Sequence, residues 1–345
     1  MSDLPPNRTA LGRETLETAA GARIQATRYG ALFAELGAHL RQTPPTSIVT
    51  CARGSSDYAS VYGKYLFETR LGRPVASVGM SVASVYGRDL DLNGALFIAV
   101  SQSGRSPDLL RLTESAKRSG ALVVGLINDE DSPLAALCDM PIGLCAGPEL
   151  SVAATKSHLL AAAAFLNIAA YWSGEERLFA AAAALPAAFD AAAALDWWPA
   201  IETLKATRNM LVLGRGASFG TALEAALKFK ETSRLHAEAF SAAEVIHGPF
   251  GLVGPDLPVL VFGQEDEAAA SIRDTVARIV ELGGPVLSAL DVPGARRLPT
   301  VGGVDPIIAP LCQELSFYLA IQHLALARGL DPDNPTNLRK VTETR

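Results

Sequence analysis

A chain of 345 residues is long enough for two domains of ordinary size. With 49% hydrophobic and 19% charged residues it has ample material for packed cores, which excludes disorder for its bulk. Its net charge of −6, with no Lys/Arg-rich block, argues against nucleic acid or an anionic membrane as the main partner.

The opening Met1-Ser-Asp-Leu-Pro-Pro lacks the basic start and apolar core of a secretory signal. The longest apolar stretch, residues 159–172, contains Asn167 and is too short to span a bilayer. Cys51, Cys138, Cys145 and Cys312 form no CxxC pair, and their apolar surroundings read as reduced, buried thiols. These features predict a cytoplasmic globular protein.

In chain order, residues 1–40 read as an N-terminal helical segment. Residues 47–51, 95–100 and 122–127 are short apolar runs bounded by Gly, Asn or Asp, the pattern of strands buried on both faces. Helical stretches at 58–71 and 107–119 separate them, so the pattern predicts an α/β domain with a parallel sheet over 41–170. The order then returns. Arg53-Gly54 and Arg215-Gly216 are 162 positions apart, and the same shift carries Val100-Ser-Gln102 onto Phe262-Gly-Gln264 and Ile127-Asn-Asp129 onto Ala289-Leu-Asp291. Three strand ends keeping one offset predict a tandem repeat, with the second unit at 206–330. An Ala-rich helical linker fills 171–205, and a polar, Pro-broken tail ends the chain at 331–345.

Ser101-Gln-Ser-Gly-Arg-Ser106-Pro107 follows a predicted buried strand and opens a helix. Open α/β sheets bind ligands at such places, where hydroxyls and first-turn N–H groups converge on a phosphate. Ordinary N-capping is the competing reading, but three serines in six residues exceed what a cap needs. Arg53-Gly-Ser-Ser56 has the same placement after the first strand. At the matching positions the second repeat carries Gly263-Gln-Glu265 followed by Asp266 and Glu267, whose charge would repel an anion. One phosphate per chain is therefore expected, in the first repeat.

In the second repeat, Glu224, Lys228 and Glu231 share a helical face with Lys230 beside them, and His236, Glu238, Glu244 and His247-Gly-Pro249 follow. A solvated salt-bridged face and an acid/base site both fit this pattern. The spacings match no metal signature, so neither a metal nor another cofactor is expected.

Six motifs occur together in order: Ser-Gln-Ser-Gly-x-Ser, Ser151-Val-Ala-Ala-Thr-Lys156, Leu227-Lys-Phe-Lys-Glu231, His236-Ala-Glu-Ala, Glu244-x-x-His-Gly-Pro249 and Asn337-Leu-x-Lys340. The chain resembles the double sugar-isomerase (SIS) module that forms the isomerase half of glucosamine-6-phosphate synthase, and the SIS-type glucosamine-6-phosphate deaminases. The resemblance implies two tandem SIS domains, each a parallel sheet flanked by helices in an αβα sandwich. It implies a phosphosugar ligand held by Ser56, Ser101, Gln102, Ser103 and Ser106, with Ala154 where synthases usually carry Ser. It further implies Glu231 as the base moving a proton between C1 and C2, and Lys228 as a charge stabiliser. His247 would assist ring opening, reaching the site of a partner in a homodimer, and Lys340 would form a Schiff base with the ketose. Arg53 and Arg105 also depart from the synthase pattern. The glutaminase half and its ammonia supply have no counterpart, which favours deamination of glucosamine 6-phosphate to fructose 6-phosphate. The alternatives are an isomerase or deglycase acting on galactosamine 6-phosphate or a fructosamine 6-phosphate, and a non-catalytic phosphosugar sensor.

Overall fold

A computed structural model describes residues 7–340; the ends 1–6 and 341–345, including the last part of the predicted tail, lie outside the described residues. Two helices, α1 (Ala10–Leu16) and α2 (Thr18–Gln42), occupy the predicted N-terminal helical segment, divided by a turn at Glu17. The chain forms two compact units. Among the described residues, one holds 20–149 and 156–183, and the other holds 7–19 together with 150–155 and 184–340.

The first of these units begins its sheet with β1 (Ile48–Cys51), α3 (Ser55–Leu71), β2 (Val75–Ser77) and the short α4 (Ser81–Ser84). It continues with β3 (Leu96–Ser101), α5 (Pro107–Arg118), β4 (Leu122–Ile127), α6 (Pro133–Leu137) and β5 (Met140–Gly143). The five strands are parallel in the order β2-β1-β3-β4-β5, with Ile48 opposite Leu96 and Leu96 opposite Leu122. Every residue of β1 and β3 is buried, which explains why these strands are continuous apolar runs. Helix α5 starts with Pro107 and Asp108 and ends with Lys117 and Arg118, charges that suit the helix dipole at each end. Its Leu109, Leu112 and Ala116 pack onto the core formed by Val49, Phe97, Val123 and Ile127.

Helix α7 (Lys156–Ser173) is buried around nearly its whole circumference, so the longest apolar stretch of the sequence is a core helix. A β-carbon built on Gly63 would lie 2.3 Å from Cδ1 of Phe165, so α3 approaches α7 at a point where only glycine fits. Gly63→Ala should destabilise the protein by about 1–3 kcal/mol through overpacking, read as a lowered thermal midpoint. An unchanged midpoint would mean that the ring moves aside without cost.

The chain continues with α8 (Glu176–Ala193) and α9 (Trp198–Ile201), then β6 (Asn209–Gly214), α10 (Ser218–Ser233) and β7 (His236–Ser241). After two 3₁₀ turns come β8 (Val259–Val261), α11 (Ala269–Glu281), β9 (Val286–Ser288), β10 (Arg296–Arg297) and α12 (Ala309–Ala327). This second parallel sheet runs β10-β9-β8-β6-β7, the same order as the first when each strand is matched to its counterpart. Helices α5 and α11 begin at positions 107 and 269, which keeps the offset read from the sequence. Its core is built from Leu211, Leu213, Val259, Val261, Ile272 and Val276.

Residues 331–340 contain no helix or strand. Asp333 in this tail accepts the backbone N–H groups of Ala10 and Leu11, each at 2.8 Å, and so caps the start of α1. Its own carbonyl accepts the Val152 N–H at 3.0 Å. All four cysteines are free. Cys51 and Cys312 are buried as expected, but Cys138 and Cys145 are only half-buried, which corrects the expectation of four buried thiols. Burial, followed by the Asp139 charge, still pushes the Cys138 thiol up to about 12. Among the described residues no single helix is long and apolar enough to cross a membrane.

Candidate active site

In the first sheet the strand order reverses between β1 and β3, and α3 and α5 both start at the carboxyl ends of these neighbouring strands. This is the crevice where open α/β sheets take ligands. Ser101 ends β3, and its Oγ accepts the Gly104 N–H at 2.9 Å, which folds the loop back on itself. Gly104 has φ +62°, and a β-carbon there would meet Ser132 Oγ at 2.1 Å, so the turn needs glycine twice over. Ser103 accepts the Arg105 N–H at 3.4 Å, and the carbonyl of half-buried Gln102 accepts the Asp129 N–H at 3.2 Å. Ser106 occupies the N-cap of α5 but its side chain caps nothing, and the residue at the N-cap of α3 is Gly54, ahead of Ser56. Capping therefore does not account for Ser106, whose hydroxyl remains available to an anion together with that of Ser56.

Two ion pairs flank this loop. Arg53 donates from Nε at 2.9 Å and from Nη2 to one oxygen of Asp108, a side chain only 1% exposed. Arg105 binds one oxygen of Asp129 in the same way, from Nε at 3.2 Å and Nη2 at 2.8 Å. Both arginine side chains remain about half exposed.

The counterpart loop of the second sheet is filled by its own acid. Asp266 stands at the position equivalent to Gly104; its Oδ1 accepts the Ala268 N–H at 2.9 Å and its Oδ2 accepts Gln264 Nε2 at 2.9 Å. A carboxylate of the chain thus sits beside the start of α11, where an incoming phosphate would meet like charge.

Helix α10 carries the titratable cluster. Glu224 and Lys228 are fully buried, and the Lys228 Nζ lies 3.1 Å from Glu224 Oε1 and 2.5 Å from Glu231 Oε2. A solvated salt-bridged face is thereby excluded for this triad. Burial alone would lower the lysine pKa, but the Glu224 and then the Glu231 charge outweigh it and hold the ammonium above the usual lysine range. Helix α12 extends the network. The Tyr318 hydroxyl lies 2.9 Å from Glu224 Oε1 and 3.0 Å from Glu314 Oε1, and Thr221 donates to Glu314 Oε2 at 3.1 Å. Burial and then the charges of Glu224 and Glu314 push the Tyr318 phenol well above its ordinary value. Sequence reasoning missed Glu314 and Tyr318, although acidic and phenolic residues four apart in the apolar run 307–327 are the available signal.

Of the triad, Glu231 lines a cavity. Its side chain is 21% exposed and lines a space of about 290 Å³ with Lys230 and Arg234 on one side and Asn334, Pro335 and Leu338 of the tail on the other. Lys230 donates to the Ala237 carbonyl at 3.1 Å, and partial burial lowers its pKa. Lys340 is half-buried two residues beyond Leu338 and is not among the residues lining this cavity. His247 is exposed in the turn after β7, its N–H bonded to the Glu244 carbonyl at 2.9 Å, and it too stands outside the lining. Ala154 is half-buried just before α7. A larger cavity, about 520 Å³, opens at the amino ends of β6 and β7 beside Arg208, His236, Glu238 and Asp256. His236 and Glu238 are exposed strand residues there, whereas Glu231 is held against a buried cation, so the smaller cavity is the better candidate for proton transfer.

Two parallel sheets of one strand order, the first with a hydroxyl-rich loop at its switch point, define a duplicated doubly wound α/β protein. The SIS-domain profile matches residues 42–170 and 203–293, and the chain belongs to this family. The glutamine–fructose-6-phosphate aminotransferase (isomerizing) of Gluconobacter oxydans is 31% identical over 323 residues, which cover 87% of this chain and 52% of that protein. The chain thus spans about half the length of the curated relatives it matches. A solved structure from Silicibacter pomeroyi, described as a candidate phosphosugar isomerase, is 43% identical with a TM-score of 0.89, covering 94% of this chain and 100% of the other. The glucosamine-6-phosphate deaminase of Thermotoga maritima, 23% identical with a TM-score of 0.76 over 97% and 100% of the two chains, shares the fold.

Proposed function

We propose that this chain is an amino-sugar-phosphate isomerase working as a deaminase, converting glucosamine 6-phosphate and water to fructose 6-phosphate and ammonia. The observation that carries the reading is Glu231, a carboxylate open to a cavity on one side and bonded to a fully buried lysine on the other. The names of the relatives, which concern fructose 6-phosphate amination and phosphosugar isomerisation, support the substrate class.

In this reading Ser56, Ser101, Gln102, Ser103 and Ser106 take the phosphate. His247 helps to open the ring, exposing a C1 aldehyde that acidifies the C2 proton. Glu231 removes that proton and returns it to C1 through an enolamine, while Lys228 keeps the carboxylate in place. The amine becomes an imine at C2, where the Lys340 amine adds and displaces ammonia to leave a lysine Schiff base, and water hydrolyses that to the ketone and the free lysine. The same bond changes would run on galactosamine 6-phosphate, so stereochemistry is decided by assay.

Incubating the purified chain with glucosamine 6-phosphate, galactosamine 6-phosphate and a fructosamine 6-phosphate, while following ammonia, tests the proposal. Ammonia should appear fastest with glucosamine 6-phosphate. Release from another member of the panel would reassign the substrate. Tight binding of sugar phosphates with no turnover of any would make the protein a sensor and overturn the enzymatic reading.

A further inference from the structure

Arg53 and Arg105 occupy equivalent places. Each stands two residues ahead of the first residue of a helix, Ser55 of α3 and Pro107 of α5, at the two carboxyl strand ends that border the switch point. Each turns its Nε and Nη2 edge to a single oxygen of an aspartate, and no hydrogen bond of Nη1 to any described residue accompanies this pairing. Both remain about half exposed. In the second repeat the matching positions hold Arg215 and Glu267, and the loop there is filled by the Asp266 carboxylate. Paired cations therefore accompany the serine loop and not its acidic counterpart.

We propose that Arg53 and Arg105 are phosphate-binding residues, held ready by Asp108 and Asp129, that supply the countercharge for a phosphomonoester dianion. The inference rests on the reading of the serine loop as the phosphate site. Serine hydroxyls and helix N–H groups are neutral donors, and a dianion bound by these alone would lose much of its hydration without an opposite charge nearby. A guanidinium offers a planar set of donors matched to phosphate oxygens, and the aspartates fix one edge so that the other is already oriented. The carboxylates also moderate the charge of the two guanidinium groups.

Binding of inorganic phosphate, measured by calorimetry on the full chain, tests this without reference to turnover. Arg105→Gln should weaken phosphate by about tenfold, the loss of one charge-assisted hydrogen bond moderated by exposure. Asp129→Asn should weaken phosphate less than Arg105→Gln does, because the guanidinium loses its fixed edge and keeps its charge. Arg53→Gln alone would take the cation from beside the buried Asp108, so the neutral double variant Arg53→Gln/Asp108→Asn is used, with an expected loss of the same order. If Arg105→Gln binds phosphate like the parent while Ser106→Ala binds it more weakly, the arginine proposal fails and the serine loop stands. If Asp129→Asn weakens phosphate as much as Arg105→Gln, Arg105 only ties two loops together and the proposal also fails. If Ser106→Ala and Arg105→Gln both bind like the parent, the phosphate lies elsewhere, and the reading of the loop falls together with this one.

Discussion

Glu231→Gln should bind sugar phosphate almost normally while turnover falls by about 10²–10⁴-fold, the usual contribution of a general base. The amide keeps an oxygen that can accept from Lys228 Nζ, which lies 2.5 Å from the carboxylate, so the side chain stays in place and only its basicity is lost. Exchange of the substrate C2 proton with deuterated solvent should slow by the same factor. Near-native turnover would pass the role to another carboxylate, with Glu244 in the exposed turn after β7 the first to test.

Lys228→Met should be the most destabilising single change on α10. It removes the cation that faces fully buried Glu224 and leaves that carboxylate and Glu231 without their ammonium partner. Breaking a buried pair from one side costs about 3–5 kcal/mol, and a thermal midpoint lowered by roughly 4–7 °C follows for a protein of this size. The double variant Lys228→Met/Glu224→Gln should recover most of the loss, because no uncompensated buried charge remains at that pair. The folded-state pKa of Lys228 is raised, so its stabilising contribution is fully present below the unfolded lysine value of about 10.4 and is lost only as pH rises through the folded one. The stability gap between parent and Lys228→Met should therefore stay constant between about pH 7 and pH 9. A gap that closes in this window would show that the lysine loses its proton there and that Glu224 does not hold it charged.

The α/β class and the duplication were legible because their signals are local. Buried parallel strands such as Leu96–Ser101 must be apolar on both faces, and the strand ends of both repeats kept one spacing. Short edge elements such as Val75–Ser77 and Arg296–Arg297 carry too few residues to show any pattern. The serine loop was readable as an anion-binding candidate because its hydroxyls outnumber what a cap uses, and Ser106 indeed caps nothing. The arginine–aspartate pairs were not readable, since Arg53 and Asp108 lie 55 positions apart and only the adjacency of β1 and β3 unites them. The network of Glu224, Lys228, Glu314 and Tyr318 was half visible. Spacing showed the α10 members on one face, but only the packing of α12 shows that the face is buried and which groups answer it.

The cap on α1 ties the integrity of one helix to a distant stretch of chain. The carboxylate that receives the leading N–H group of α1 belongs to Asp333, 323 positions further along. In whatever order the segments form, the first turn of α1 stays unanswered until the stretch around Asp333 has come to rest beside it. Asn334, Pro335 and Leu338 of that stretch also line the cavity beside Glu231. Cutting the chain after Leu330 would therefore spare every residue of both sheets, and would bare the leading N–H groups of α1 and the floor beside the carboxylate in one stroke.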